Sequence, residues 1–435
     1  MSTLPEETRA LGDLAARGAR GLTGLVEETH DAIAKRSFQA SIMSSSPIRR
    51  GHDAISALTY AAVGGLSAGA IRLSALGVAA TLRRRASLAD GRRGAVALGA
   101  LNGALGDQLA QRRDPLAIQM QLRDAGAPVS TTPTDLAAGF PDATGTLAVF
   151  VHGLCETERA WWLGIDRAAG GETYGARLRH DLGHTPLYLR YNSGLHISDN
   201  GRRLSDLLAE LVSGWPVPVD EIVLVGHSMG GLVARSACCT ALDEDSDWVD
   251  RVRHIFYLGS PHSGADLEKG ANATAWLLNA VPETRAAARA LNGGSAGIKD
   301  LRFGYLLDED WDGRDPDELL RSSRGEVPFL DTATHYFIAA SLTTDSSHPL
   351  GRAVGDLLVR LPSAWAEGQH AIHDRFDLDH SRSLGPLTHF DLLNHPDVYD
   401  QIRRWLDPGV RALSGLPAGA VTRASRSRTR SAGRR

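Results

Sequence analysis

The pentapeptide Gly226-His227-Ser228-Met229-Gly230 limits the possible folds of this chain more than any other feature. A β-rich apolar run at 222–225 precedes it, and an amphipathic stretch typical of a helix follows it at 232–242. A serine between small residues at a strand-to-helix turn can adopt the strained backbone that exposes a nucleophilic hydroxyl group. The free N–H groups at the start of the helix then lie beside the serine oxygen. The pattern predicts a nucleophilic Ser228, and a glycine-rich turn without chemistry is the alternative.

Short apolar runs alternate with amphipathic stretches through the rest of this region. The runs lie at 147–151, 187–189, 222–225, 255–258 and 336–340. Alternating strands and helices predict a mostly parallel sheet with helices on both faces. Nearly continuous apolar strands fit such a sheet because it is buried on both sides. The predicted fold class is therefore α/β.

The composition changes near residue 135. Phe38 and Tyr60 are the only aromatic residues before that point, and all eight tryptophans follow it. We expect residues 1–135, which are rich in alanine and glycine, to form a helical accessory region without catalytic residues of its own. Residues 136–408 would form the catalytic domain. The segment 409–435 is expected to be a disordered tail, because its last 14 residues carry six arginines among small residues.

Charge and cysteine content exclude several classes of protein. The chain has 47 basic and 51 acidic residues, and this balance argues against nucleic acid as a partner. Its three cysteines cannot form a disulfide framework, so we expect a reducing, cytoplasmic compartment. The apolar segment 57–82 contains Arg72, and a charge at mid-bilayer costs about 2.5–3.5 kcal/mol on insertion scales. We therefore expect no membrane span, while peripheral membrane contact stays open.

Three motifs of the chain occur in the order found in serine α/β-hydrolases. Besides the pentapeptide, they are Val149-Phe150-Val151-His152-Gly153-Leu154 and Ser260-Pro261-His262-Ser263-Gly264. Over about 136–408 the chain resembles bacterial lipases and esterases, and the lipase-like domain of GPI inositol-deacylases. This resemblance implies an α/β-hydrolase fold with a mostly parallel central sheet.

The resemblance also implies an oxyanion hole. In lipases the His-Gly turn after a strand brings one backbone N–H group toward the nucleophile, and here that group belongs to Leu154. The N–H group of Met229 would be the second donor. His262 would be part of the scaffold near the pocket.

A serine hydroxyl needs a base, and the base needs an orienting acid. The order in this superfamily is serine, acid, histidine, so both partners should follow Ser228. His389 precedes Phe390-Asp391-Leu392-Leu393 and so resembles the catalytic histidine of lipases, which sits just before Leu-Leu. His395, at the expected start of the last helix, is the alternative, with helix capping as its simpler role.

Two aspartates are candidates for the acid. Gly355-Asp356-Leu357-Leu358-Val359 resembles the lipase pattern in which the aspartate orients the histidine. Asp345 lies among polar residues that are typical of a turn, and it is the alternative. The predicted triad is therefore Ser228, His389 and Asp356.

The long insertion at about 266–333 exceeds what a strand–helix connection requires. In lipases this region often forms a lid over the acyl pocket, and a surface subdomain is the simpler alternative. Among its large apolar residues are Trp276, Leu277, Leu278, Leu291, Leu301, Leu306 and Trp311.

We predict no cofactor and no metal site. His373, Asp377, Asp379 and His380 cluster in the sequence, but they lack a helical His-x-x-x-His pair, and serine hydrolysis needs no metal.

The sequence thus predicts a serine hydrolase that cleaves carboxylic esters, lipid-like acyl esters above all, through an acyl-enzyme. Thioesterase or acyltransferase activity with the same triad is an alternative, because the triad does not specify the leaving group or the acceptor. A non-catalytic binding protein on a hydrolase scaffold is an alternative from another class.

Overall fold

The computed structural model describes residues 2–40, 47–81, 87–124, 126–262, 294–313, 327–341 and 380–407. Within this part of the chain, eight strands form one sheet. The strands are β1 (Gln121–Asp124), β2 (Ala127–Val129), β3 (Thr146–Val151), β4 (Thr185–Arg190), β5 (Glu221–His227), β6 (Val252–Leu258), β7 (Thr334–Ala340) and β8 (Ser381–Leu384).

The described helices lie before the sheet and between its strands. The α-helices are α1 (Leu4–Ala40), α2 (Pro47–Thr81), α3 (Arg92–Gln111), α4 (Pro133–Gly139), α5 (Tyr174–Leu182), α6 (Ile197–Gly214), α7 (Met229–Asp243), α8 (Ala296–Phe303), α9 (Asp308–Trp311) and α10 (Pro396–Leu406). Shorter 3₁₀ helices cover Leu88–Asp90, Glu158–Trp162, Ile165–Arg167, Ala169–Gly171, Val249–Arg251 and His389–Leu392.

The strand order along the sheet is β2-β1-β4-β3-β5-β6-β7-β8. Neighbouring strands from β4 to β8 in this order pair in parallel, whereas β1 pairs antiparallel with β2 and β4. The five strands predicted from the apolar runs correspond to β3 through β7. The predicted α/β class and the mostly parallel sheet are confirmed.

The register of the central strands brings three turns together. Val151 at the end of β3 pairs with Gly226 of β5, and His227 pairs with Leu258 at the end of β6. Because these strands are parallel, the turns that follow them leave the same edge of the sheet. Residues 152–156, 228 and 259–262 therefore lie close to one another.

Each face of the sheet packs against its own layer of helices. Val149 and Val151 of β3 belong to a buried cluster with α6 and α7. Ala148 and Phe150 of the same strand point the other way, into a cluster with α5 and α10. Fully burying a side chain such as Phe150 contributes about 1.5–3 kcal/mol. Burial on both faces explains why β3 lacks the polar alternation of a half-exposed strand.

Helices α1 and α2 pack against each other as a hairpin. Arg72 of α2 does not stand alone, because its Nε lies 2.7 Å from Oδ1 of Asp13 on α1. By length and composition, the part of α2 at Ser56–Ala80 could cross a membrane, although only 11% of its most apolar window is buried inside the protein.

Helix α3 packs directly on the turn that follows β3. A Cβ atom added at Gly103 would lie 2.3 Å from Sγ of Cys155, and one at Gly99 would lie 2.8 Å from the carbonyl oxygen of Glu156. Only glycine permits this approach of helix to backbone. Helix α3 is thus in contact with the part of the sheet edge that carries the candidate site.

The sheet begins before the domain boundary that the composition predicts at residue 135. Strands β1 and β2 lie N-terminal of that point, and residues 121–123 of β1 pair with residues 188–190 of β4. The apolar pattern of the sequence does not predict these two strands, because they are short and β1 carries polar residues. The division of the chain into domains stays a prediction, and the predicted tail at 409–435 lies outside the described residues.

Part of the predicted lid insertion is described, and it packs on the core. Leu301 and Leu306 are buried in the same cluster as α6 and α7. Trp311 stacks on His196, with ring centroids 3.7 Å apart. These three side chains therefore support the scaffold rather than a mobile cover. Trp276, Leu277, Leu278 and Leu291 lie outside the described residues.

Candidate active site

Ser228 occupies the turn between β5 and α7. Its backbone has φ 51° and ψ −123°, a conformation that costs a non-glycine residue about 1–3 kcal/mol. The N–H group of Ser228 donates to the carbonyl of Leu258 at 2.8 Å, which fixes the turn against β6. A Cβ atom at Gly230 would lie 2.1 Å from the carbonyl oxygen of Val151, so the glycine is required there. The sharp strand-to-helix turn expected from the sequence is present.

The turn after β3 lies against Ser228. A Cβ atom at Gly153 would lie 3.0 Å from Cβ of Ser228. The N–H group of the next residue, Leu154, donates no hydrogen bond to any part of the chain that the structure describes. Met229 is the first residue of α7, so its N–H group has no acceptor within the helix. Leu154 therefore follows the residue that packs on Ser228, and Met229 follows Ser228 itself, so their role as oxyanion donors stays a prediction.

His152 holds this turn in place as a neutral ring. Its Nδ1 donates to the carbonyl of Gly153 at 2.9 Å, while Nε2 accepts from the N–H group of Tyr191 at 3.3 Å. Burial lowers the pKa of His152, which agrees with a neutral imidazole. The hydroxyl of Tyr191 donates to the carbonyl of His152 at 2.7 Å.

His389 lies at the same edge of the sheet. It begins the 3₁₀ helix His389–Leu392 and is buried. A Cβ atom at Gly259, directly after β6, would lie 3.0 Å from Cε1 and 3.1 Å from Nδ1 of His389. The centroid of its ring is 4.8 Å from that of His227, the residue before the serine. The structure therefore brings His389 into the neighbourhood of Ser228.

An ion pair anchors the segment that carries His389. Asp391 pairs with Arg167, and it also accepts hydrogen bonds from the hydroxyl of Thr388 at 2.6 Å and from its N–H group at 2.9 Å. Partial burial acts to raise the pKa of Asp391, but these bonds and Arg167 outweigh it and lower that pKa to about 2. The carboxylate is thus fully ionised at neutral pH.

The alternative base, His395, has a structural role. It is the N-cap of α10, where its Nδ1 accepts from the N–H group of Asp397 at 3.3 Å. Its own N–H group donates to the hydroxyl of Tyr174 at 2.8 Å. These contacts are those of a helix-capping residue, which is the simpler role expected for His395.

The predicted acid cannot be placed. Asp356 and its alternative Asp345 both lie outside the described residues, as do His373, Asp377 and Asp379. Within the described residues there is no group of three histidine, cysteine or acidic side chains that could hold a metal ion.

A buried pair that sequence reasoning missed lies beside the serine. Nδ1 of His227 is 3.1 Å from Oε1 of Glu156, and Oε2 of Glu156 accepts from the N–H group of Gly153 at 2.6 Å. The two residues are separated by 71 positions in the sequence, so no local motif joins them. The usable signal was a histidine inside the pentapeptide, at a position expected to be buried and hence in need of a partner.

Comparison with known proteins agrees with this geometry. Residues 190–312 match the family model described as a PGAP1-like alpha/beta domain. The match includes the pentapeptide and its flanking strand and helix. No curated protein matches the chain.

Several solved structures of lipases and esterases share similarity with the chain at low identity. Lipase BlEst2 of Bacillus licheniformis, in its propeptide form, is 18% identical with a TM-score of 0.38, over 69% of this chain and 54% of that one. The Pyrococcus furiosus esterase PF2001 is 12% identical with a TM-score of 0.33, over 61% and 83%. EstA from Clostridium botulinum is 10% identical with a TM-score of 0.31, over 60% and 86%. The chain spans about half the length of the Bacillus lipase that it matches.

The strand–serine–helix turn in a mostly parallel sheet defines an α/β-hydrolase fold, a fold that supports ester hydrolysis. The family match over residues 190–312 agrees with the predicted resemblance to the GPI inositol-deacylase-like domain of the serine α/β-hydrolases.

Proposed function

We propose that this protein is a serine hydrolase of carboxylic esters. The observation that carries the proposal is the strained backbone of Ser228, at φ 51°, with Gly153 packed against its Cβ. A binding protein has no need for a strained serine beside free N–H donors, whereas a nucleophile does. His389, buried next to the residue that precedes the serine, supports the same assignment.

The proposed reaction has two halves. In the first, Oγ of Ser228 attacks the ester carbonyl while His389 takes its proton, and the N–H groups of Leu154 and Met229 stabilise the oxyanion. Each such donor contributes roughly 10²–10³ in rate in measured hydrolases. The C–O bond then breaks, the alcohol leaves with the proton from His389, and an acyl-enzyme remains. In the second half, water replaces the alcohol and releases the acid and the free serine.

The proposed orienting acid is Asp356, with Asp345 as the alternative. The acid would hold His389 in the tautomer that accepts the serine proton, and it would stabilise the imidazolium that forms. This assignment depends on the resemblance of the segment around Asp356 to the lipase pattern.

A fluorophosphonate probe tests the serine directly because it reacts only with an activated hydroxyl. We expect labelling of the intact protein and none of Ser228→Ala. Absence of labelling in the folded wild-type protein would favour the non-catalytic alternative. Turnover of acyl thioesters, or acyl transfer to an added alcohol in preference to water, would point to the thioesterase or acyltransferase alternatives.

The proposed substrates are lipid-like acyl esters. Each buried methylene contributes about 0.8 kcal/mol, so a covered acyl pocket favours longer chains. We expect kcat/KM to rise along p-nitrophenyl esters from acetate toward medium and long chains. Replacing Trp276 and Leu277 by serine should flatten this trend. A preference for acetate that these substitutions leave unchanged would indicate a hydrolase of small esters.

A membrane surface is the proposed site of action, on the cytoplasmic side. Helix α2 exposes a row of leucines to solvent, with Leu66 at 76% and Leu73 at 71% exposure. Arginines stand at both ends of this apolar stretch, at 49–50 and at 83–85 in the sequence. Each arginine near an anionic surface contributes about 1 kcal/mol of attraction. An apolar helix face between basic ends fits an anionic bilayer surface.

Vesicle sedimentation tests this contact. We expect binding to vesicles that contain phosphatidylglycerol, weaker binding to phosphatidylcholine alone, and loss of binding in the double variant Leu66→Ser and Leu73→Ser. Val96→Ser is the matched control, because Val96 is an exposed aliphatic residue on α3. Equal binding by the double variant and the control would contradict the proposal.

A further inference from the structure

We propose that Glu156 and His227 form a buried ion pair that positions the catalytic groups of this enzyme. The pair joins the oxyanion turn, the nucleophile turn and the segment of the base. Both residues are positioning residues, since neither is assigned a contact with the substrate. The inference rests on the proposed serine hydrolase function.

Glu156 is bound to the oxyanion turn. Its side chain is 8% exposed, and Oε2 accepts the N–H group of Gly153 at 2.6 Å. Gly153 immediately precedes Leu154, the proposed donor to the oxyanion. Displacement of the Glu156 carboxylate would therefore free the peptide group adjacent to that donor.

Glu156 is a carboxylate rather than a neutral acid. Burial acts to raise its pKa, but the charge of His227 and the hydrogen bonds from His227 and Gly153 outweigh burial and lower the pKa. The carboxylate is therefore able to accept hydrogen bonds from both partners at once.

His227 faces a hydrogen-bond acceptor on each side of its ring. Nδ1 lies 3.1 Å from a Glu156 oxygen, and Nε2 lies 3.4 Å from the carbonyl oxygen of His389. A carbonyl oxygen cannot donate, and the carboxylate has no proton to give, so both ring nitrogens must donate. The ring is fully buried, and its other neighbours include the indole of Trp161 and the ring of Phe390. His227 is accordingly an imidazolium cation held by Glu156.

The imidazolium connects the nucleophile to the base. His227 is the residue directly before Ser228, and its Nε2 contact reaches the backbone of His389 itself. Through Glu156 it also reaches the peptide group of Gly153. Three segments from different parts of the sequence are thereby held in one geometry by two side chains. Removal of either charge leaves its partner buried without compensation.

Substitution of Glu156 by glutamine tests the pair with little change in shape. The amide keeps an acceptor for Gly153 but removes the charge that holds the imidazolium. We expect kcat to fall about 10²-fold, as for small displacements of catalytic groups, with KM nearly unchanged. The rate of fluorophosphonate labelling should fall with kcat. Glu156→Asp, which keeps the carboxylate, should recover part of the rate.

Glu158→Gln is the matched control. Glu158, two residues further along, is fully buried, and its side chain pairs with Arg190 at 2.5 Å. Its partners do not belong to the proposed catalytic segments. We expect this variant to lose thermal stability while its folded fraction keeps kcat within about threefold of the wild type. An equal loss of kcat in the two variants would overturn the positioning role.

Nitrogen-15 spectra of the histidine rings give a second readout that needs no variant to be active. At pH 7.5 both ring nitrogens of His227 should carry protons, with the signals assigned by their absence in His227→Gln. A neutral ring would overturn the proposal, as would full kcat in Glu156→Gln. Failure of the proposed function would instead appear as no esterase activity and no probe labelling in the wild-type protein.

Discussion

Gly103 of α3 packs against the backbone of Cys155, the residue after the proposed oxyanion donor Leu154. A Cβ atom at Gly103 would lie 2.8 Å from both N and Cα of Cys155. Helix α3 therefore packs against the outer side of the oxyanion turn. The sequence alone predicts a helical accessory region without catalytic residues, so that a chain starting near Thr132 would keep the triad geometry and be less soluble. These contacts, and the loss of β1 and β2 from the sheet, lead us to expect that such a truncated chain loses activity.

Gly103→Val should lower activity without removing any polar group. The added side chain must displace Cys155, and a shift of about 1 Å at an active site can cost 10²-fold in rate. We expect a loss of that order in kcat with the protein still folded. Gly21→Val on α1 is the control, because a Cβ atom there meets nothing within 4 Å. Steady-state kinetics with circular dichroism would check both, and wild-type kcat in folded Gly103→Val would refute the close contact.

The triad prediction concerns Ser228 and His389. Replacing either by alanine should lower ester hydrolysis by roughly 10⁴ or more, and the double variant should lose little further, because the two act as a unit. His395→Ala is the control, expected to keep its activity while losing about 1 kcal/mol of stability with the cap of α10. If His395→Ala were inactive and His389→Ala active, His395 would be the catalytic base instead of His389.

The acid is tested by comparing Asp356→Asn with Asp345→Asn. We expect the first to remain folded and lose activity by up to about 10⁴-fold, because an amide stabilises the wrong tautomer of the histidine. The second should retain most of its activity. The reverse result in kcat measurements would assign the role to Asp345.

The sequence predicts the central strands well and the edges of the sheet poorly. Central strands such as β3 are continuous apolar runs because both faces are buried. The edge strand β8, at Ser381–Leu384, carries serine and arginine and has no apolar run to detect. An edge strand is stabilised largely by pairing with its neighbour, so its sequence does not need a continuous apolar run.

In the candidate site, too, some residues could be predicted from the sequence and others could not. Ser228 is recognisable because its turn needs a local pattern of small residues between strand and helix. The buried pair of Glu156 with His227 is not recognisable, since it depends on the register that sets β3 beside β5. The requirement for glycine at position 103 cannot be predicted from the sequence, because it depends on the close approach of α3 to Cys155. The nucleophile could thus be inferred from a local sequence pattern. The residues that hold it in place could not, because they depend on contacts between distant segments.

The ion pair between Asp391 and Arg167 gives a prediction of pH dependence. The folded pKa of Asp391 is lowered from an ordinary 3.8 to about 2. Its contribution to stability is therefore complete above about pH 4 and is lost as the pH falls from about 4 toward 2. Asp391→Asn should melt at a lower temperature than the wild type at pH 6, and the two should converge near pH 2.

Thermal unfolding between pH 2 and pH 6 measures this convergence. Asp400→Asn serves as a control, because Asp400 is exposed and lies 3.6 Å from its partner Arg177. That variant should stay close to the wild type at every pH, since exposed pairs contribute little. Because Asp391 lies two residues after His389, we further expect Asp391→Asn to lower kcat at pH 7 severalfold. A constant difference in melting temperature from pH 6 to pH 2 would show that Asp391 stabilises the loop by something other than its charge.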